Sequence, residues 1–121
     1  MKFKTEKFAY TGLSSQQATT TLFTPSADGD FLITIYVEIV TNSSAGGAST
    51  NVQLLWTDDI QAQSGYFANT NVLGGYAQAS VVIHAKSGQP IQWSYSLNDN
   101  THSGSAPGVS YNVFFLAIGL E

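Results

Sequence analysis

The residues of this chain best suited to chemistry are two adjacent aspartates, Asp58 and Asp59, and two histidines, His84 and His102. Adjacent side chains on an extended strand point to opposite faces, so Asp58 and Asp59 do not converge on one substrate atom as paired acid–base catalysts must. They follow the apolar-alternating run NVQLLWT, and aspartate closes turns well, so a solvated turn is the preferred reading. A surface Ca²⁺ site at Asp58 and Asp59 is the alternative, and it needs several further oxygen ligands that the neighbouring sequence does not supply in series. His84 and His102 carry no metal-ligand spacing. His84 falls on the polar side of its strand, where an imidazole at a subunit contact would make assembly acid-sensitive. The chain has no Gly-x-Ser-x-Gly elbow, no Walker loop and no His-Glu-x-x-His. The expectation is a protein without catalytic residues or a cofactor.

Composition narrows the partners. Of 121 residues only 10% are charged, the formal net charge is −4, and there is no arginine. Three of the four lysines sit in MKFKTEK at the start. Nucleic-acid binding rests on rows of cations that displace phosphate counterions, and this chain has no such row. With no cysteine, disulfides and thiolate chemistry are absent. No stretch reaches the ~20 apolar residues of a membrane-crossing helix, and MKFKTEKFAY lacks the apolar segment of a signal peptide. Ser, Thr, Asn and Gln together supply 41 residues, a weakly charged polar surface that leans toward an extracellular or particle-surface location.

Hydropathy alternates with a period of two, and helical periodicity is missing. Strands are expected near residues 7–10, in QATTTLF, FLITIYVEIV, NVQLLWT and SGYFANTNVL, over 77–86 and 91–97, and in the final VSYNVFFLAIGL. About eight strands in one domain, with 1–13 as an arm or first strand, read as an all-β two-sheet antiparallel sandwich of jelly-roll type. Turns are expected at 26–29, 73–76 and 87–90, the last closing a tight hairpin. Trp56, Trp93 and Tyr95 align with aliphatic residues and belong to the core. Three polar stretches are candidate ligand loops: 42–50 with Asn42 and Ser43, 64–76 with Tyr66, Phe67 and Tyr76, and 98–108 with Asn98, Asp99 and His102. Asn42-Ser43-Ser44 also matches a glycosylation acceptor.

The last strand is apolar on both faces. Tyr111, Val113, Phe115 and Ala117 fall on one side, and Phe114, Leu116, Ile118 and Leu120 on the other. A half-wetted antiparallel strand needs only one apolar face. Full burial of four such side chains is worth about 6–12 kcal/mol at most, and soluble monomers avoid stripes of this kind. FLITIYVEIV repeats the pattern, with Leu32, Tyr36 and Val40 on its second side. A second copy of the chain is the natural cover, with Tyr36, Phe114, Leu116, Ile118 and Leu120 as the interface.

The motif order resembles the tumour-necrosis-factor-like jelly rolls, in particular the complement-type globular heads. Phe23-Thr24-Pro25 leads through Asp28-Gly29-Asp30 into Phe31; the strand 81–86 passes through Ser87-Gly88-Gln89-Pro90 into Ile91-Gln92-Trp93-Ser94; a Phe-containing apolar strand follows at 111–120. The resemblance implies a compact homotrimer around a three-fold axis, binding rather than catalysis, and partners on exposed loops and outer faces. The family's ligand class does not carry over, because its charged loops have no counterpart here. The expected function is therefore a non-enzymatic homotrimeric head on a bacterial or phage fibre or appendage, presenting its loops to a protein or glycan. The alternative is a monomeric carbohydrate-binding sandwich that stacks sugars on Tyr66, Phe67 or Tyr76.

Overall fold

The computed structural model describes residues 5–44, 48–70 and 76–120. Its strands are β1 (Thr5–Leu13), β2 (Gln17–Phe23), β3 (Gly29–Thr41), β4 (Ala48–Thr57), β5 (Ala62–Thr70), β6 (Tyr76–Ala85), β7 (Ile91–Asp99) and β8 (Ser110–Leu120). No helix occurs among the described residues. Two four-stranded sheets form, ordered β1-β8-β3-β6 and β2-β7-β4-β5, and every pairing is antiparallel. Only β4 and β5 pair as consecutive strands; the other connections cross between sheets, the wiring of a jelly roll.

Period-two alternation places the core between the sheets. Ile33, Ile35, Val37 and Ile39 of β3 and Tyr111, Val113, Phe115 and Ala117 of β8 point inward from one sheet. Val52 and Leu54 of β4 and Ile91, Trp93, Tyr95 and Leu97 of β7 meet them from the other. Aromatic rings interlock at the contact. Tyr95 stacks on Tyr111 with centroids 4.1 Å apart, and Trp93 lies 4.7 Å from Tyr10 and 5.3 Å from Phe115. The Tyr111 hydroxyl donates to the Ser15 carbonyl at 2.6 Å and so ties the β1–β2 connection to the core. Trp56 packs against the core only partly buried.

Three expectations change. Residues 87–90 do not close a hairpin, because β6 belongs to one sheet and β7 to the other. The same glycine-and-proline turn chemistry serves an arch between sheets as well as a hairpin. Here it docks on the β2–β3 turn, with Ser87 N donating to Asp28 Oδ1 at 2.7 Å and Gly88 N to the Pro25 carbonyl at 2.9 Å. Most of the expected loop 64–76 is strand β5, held by its ladder to β4. The expected loop 42–50 gives up its last residues to β4, which begins at Ala48. The turn expected at 73–76 falls outside the described residues except for Tyr76, which opens β6.

Candidate functional site

Cross-strand partners share a sheet face, so register assigns the outer face of β1-β8-β3-β6 row by row. Ile118 pairs with Leu32, and Leu32 with Val82. Leu116 lies between Lys7 and Thr34, and Phe114 between Ala9 and Tyr36. The Tyr36 ring stacks on Tyr76 at 5.6 Å and tilts toward Phe114 at 6.2 Å. Tyr76 therefore belongs to this aromatic cluster on the sheet face and not to a ligand loop. Lys7, Ala9, Thr34, Tyr36, Phe114 and Leu116 border a shallow apolar groove of about 340 Å³. Phe114, Leu116, Ile118 and Leu120 are half-buried by their neighbours, while Val82 stays 57% exposed. Lys7, Ala9 and Thr34 were not anticipated from sequence. Only the β1–β8–β3 register reveals them, since Lys7 and Ala9 lie outside the two-faced runs and Thr34 is a polar position within FLITIYVEIV.

Several polar groups on this face are paired. Asn112 Nδ2 donates to Glu38 Oε1 at 2.8 Å, and Gly12 N donates to Asn112 Oδ1 at 2.9 Å. The Thr34 and Ser80 hydroxyls are 3.2 Å apart. Glu38 is thereby held beside the aromatic cluster by a side chain of its own sheet.

The expected metal residues take other roles. Asp58 Oδ1 accepts the Ile60 and Gln61 amides, each at 2.8 Å, and Oδ2 accepts Gln63 Nε2 at 2.8 Å. The Gln61 and Ile60 amides hold the Asp58 carboxyl below its ordinary pKa. Asp58 thus caps the β4–β5 turn. Asp59 instead reaches His84, whose Nε2 lies 3.1 Å from Asp59 Oδ2 and whose Nδ1 lies 2.7 Å from Asp30 Oδ1. The carboxylates engage opposite ring nitrogens, and among the described residues no three such groups converge as a metal site. The hydrogen bond to Asp30, assisted by Asp59, raises the His84 pKa. His84 clamps β3 and β6 to the β4–β5 turn, bridging the two sheets. Its side chain remains 44% exposed.

The loop 98–108 folds on itself around Asp99, whose side chain is buried. Burial alone would push this carboxyl up. The Ser43 hydroxyl, the Thr101 and His102 amides and the His102 ring outweigh burial and hold it well below the carboxylate range. Ser43 contacts Asp99 Oδ2 and the Pro107 carbonyl, and Ser44 N donates to that same carbonyl at 2.9 Å. Asn98 Oδ1 accepts Gly104 N at 2.8 Å, and Asn42 Oδ1 accepts Ser43 N at 2.9 Å. The candidate ligand residues Ser43 and Asp99 are therefore spent on joining two loops, while the Asn42 and Asn98 side chains bond within their own. Thr101, His102 and Asp99 superficially suggest a catalytic triad. Both Thr101 Oγ1 and Asp99 Oδ1 approach the same nitrogen, His102 Nδ1, at 2.9 Å. A proton relay needs them on opposite nitrogens.

Tyr66 and Phe67 are neighbours on β5 and point opposite ways. Phe67 faces Val52 and packs partly buried against the core, an edge-of-core place and not the exposed contact that its position in a candidate loop offered. Tyr66 faces Gln53 and is 67% exposed.

No protein-family model matches this sequence, and a search of curated proteins finds no match. Solved structures do share its fold. A chain of the T13 IBDV viral particle is 18% identical with a TM-score of 0.55, over 97% of this chain and 31% of that one. The C-terminal domain of EclA, a sugar-binding protein, is 12% identical with a TM-score of 0.51, over 95% of this chain and 78% of that one. The VP2 subviral particle of infectious bursal disease virus is 15% identical with a TM-score of 0.55, over 98% of this chain and 33% of that one. This chain thus spans about a third of the length of the viral chains. At these identities the likeness concerns the fold. The chain is an all-β jelly-roll sandwich, and no family model narrows this to the tumour-necrosis-factor-like group.

Proposed function

We propose that this protein is a non-enzymatic, self-assembling module of a particle or appendage surface, a homotrimer joined through the outer face of β1-β8-β3-β6. One observation carries the reading: apolar side chains run in rows across three strands of that face and stay partly exposed, Val82 to 57%. Already about two-thirds buried or more, Phe114, Leu116, Ile118 and Leu120 offer a partner about 2–4 kcal/mol together at most. The three-fold arrangement rests on the resemblance to the tumour-necrosis-factor-like heads. A cyclic trimer joins two different patches head to tail, and this face has two: the Tyr76–Val82 side and the Lys7–Leu116 groove.

Light scattering over a dilution series tests it. The wild-type chain is expected near three times 12.9 kDa, and Leu116→Asp near a single chain mass with its circular dichroism unchanged. A wild-type monomer at every concentration, or a folded trimer of the variant, overturns the reading. The exposed Tyr66 and the shared fold with the sugar-binding EclA domain favour a second reading, a monomeric carbohydrate-binding sandwich. A monomer that binds sugar would put that reading first.

A further inference from the structure

The second sheet has an outer face of a different kind. Strands β2, β4, β5 and β7 contain one acidic or basic residue between them, Asp99, at the end of β7 with its side chain buried. The opposite sheet carries Glu6, Lys7, Asp30, Glu38 and His84 on its strands. Since Ile91, Trp93, Tyr95, Leu97, Val52 and Leu54 point into the core, the residues between them point out. Register sets them in rows. Thr21 pairs with Gln92, Gln92 with Leu55, and Leu55 with Ser64. In the next row Ser94 pairs with Gln53, and Gln53 with Tyr66. Ser96 pairs with Asn51 beyond them.

We infer that this face is a binding platform for a neutral, linear polysaccharide, with the Tyr66 ring as its stacking surface and Gln53 as its central polar contact. Ordinary solvated faces mix lysine and glutamate, since about a quarter of residues in a typical domain are charged. This face has carboxamides and hydroxyls in their place. A carboxamide offers both donor and acceptor, which suits the neighbouring hydroxyls of a sugar. An anionic ligand finds no cation on these strands, and among the described residues an apolar partner finds no large aliphatic side chain besides Leu55 near Tyr66. The polar groups are oriented in advance. Ser94 Oγ donates to Gln53 Oε1 at 3.2 Å, and Gln92 Nε2 reaches Thr21 Oγ1 at 3.4 Å. Tyr66 stands in the same row, two-thirds exposed, with a face free for the C–H side of a pyranose.

Spacing supports a polymer. Neighbouring strands lie about 4.8 Å apart, so a chain laid across the sheet meets a new side chain at roughly each sugar ring. Four strands span about 14 Å, room for about three sugars. This face is remote from Phe114 and Leu116 on the other sheet, so the inference holds whether the chain assembles or not.

Native gels cast with a soluble mixed-linkage β-glucan, a xylan, a galactomannan or a dextran provide the test, with polygalacturonate as the anionic control. Wild-type protein is expected to be retarded by at least one neutral polymer and not by polygalacturonate. Tyr66→Ala is expected to weaken retardation about tenfold, and Gln53→Ala to weaken it as well. Both side chains point outward, so melting temperatures of the variants verify that the fold is retained. Retardation by none of the neutral polymers, or equal retardation of wild type and both variants, overturns the inference. Leu116→Asp separates the two readings: it is expected to lose assembly, keep retardation, and show the same weakened retardation when Tyr66→Ala is added.

Discussion

Phe114 and Phe115 are adjacent, identical in size and opposite in direction, and truncating each tests the two-sheet arrangement directly. Phe115 is 2% exposed, with Trp93 at 5.3 Å and Tyr10 edge-on at 6.1 Å. Phe115→Ala removes a buried ring and leaves a cavity, a loss of about 3–5 kcal/mol. For a chain of this length that lowers the melting temperature by about 10–25 °C. Phe114 is half-buried on the outer face, so Phe114→Ala costs about 1 kcal/mol within the chain, or about 3–6 °C. Its larger effect falls on association. A folded state stabilised by assembly melts higher as concentration rises, and Phe114→Ala is expected to reduce that dependence, whereas Phe115→Ala leaves its slope intact. Circular dichroism melts at two concentrations about a hundredfold apart read both quantities. Equal destabilisation by the two variants would refute the assignment of faces. A concentration slope unaffected by Phe114→Ala would refute the interface.

Two pH effects follow from the hydrogen bonds. Asp30 and Asp59 raise the His84 pKa above its ordinary 6.5, so the clamp stabilises the fold below about pH 6.5 and loses that contribution as pH rises through the folded value. The melting-temperature gap between wild type and His84→Ala is expected to be wider at about pH 5.5 than at about pH 8.5; a gap that does not change with pH would exclude the clamp. Asp99 works in the opposite sense. Its lowered pKa stabilises the fold above the ordinary carboxylate value of about 3.9, a contribution lost as pH falls. Asp99→Asn is expected to melt lower than wild type at neutral pH and to flatten the acid limb of the pH–stability curve. A variant that melts like wild type at pH 7 would show that Asp99 is not the centre of the loop 98–108.

The fold was legible because its strands alternate cleanly. QATTTLF coincides with β2, and the two-faced character of β8 and β3 was readable as composition on two sides of a strand. Connectivity was less legible. A glycine-and-proline turn at 87–90 is compatible with a hairpin and with an arch, and only the partners of β6 and β7 decide between them. The loop residues misled for a related reason. Asn42, Asn98 and Asp99 are polar and turn-forming, which describes a ligand loop and a self-bonded loop equally well. The bond of Asp99 to Ser43, far along the chain, is invisible until the strands are placed, and Asn42 and Asn98 bond inside their own loops. Gln53, Gln92 and Ser94 escaped notice because each strand alone shows an ordinary wet side. Their lack of neighbouring charge becomes a property of a surface only when β2, β7, β4 and β5 lie side by side.

A sandwich commits its two inner faces to the core and leaves the outer faces free to differ, and here they differ in the chemistry of burial. Apolar rows such as Ile118–Leu32–Val82 gain by leaving water, so they favour contact with a matching surface of another protein. Carboxamides lose by leaving water unless every donor and acceptor is matched, which a second protein surface rarely achieves and a flexible polyhydroxylated chain does. The Gln53 face is therefore poorly suited to self-association, and the Leu116 face is poorly suited to sugar. Charge follows the same division. Asp28, Asp30, Asp58 and Asp59 gather around His84 at one end of the sandwich, where Asp30 pairs with Leu120 and solvent screens the exposed carboxylates. Copies of the chain meeting along Phe114 and Leu116 would bring Glu38 to the contact with one carboxylate oxygen already held by Asn112, while the uncharged sheet stays outside and in water.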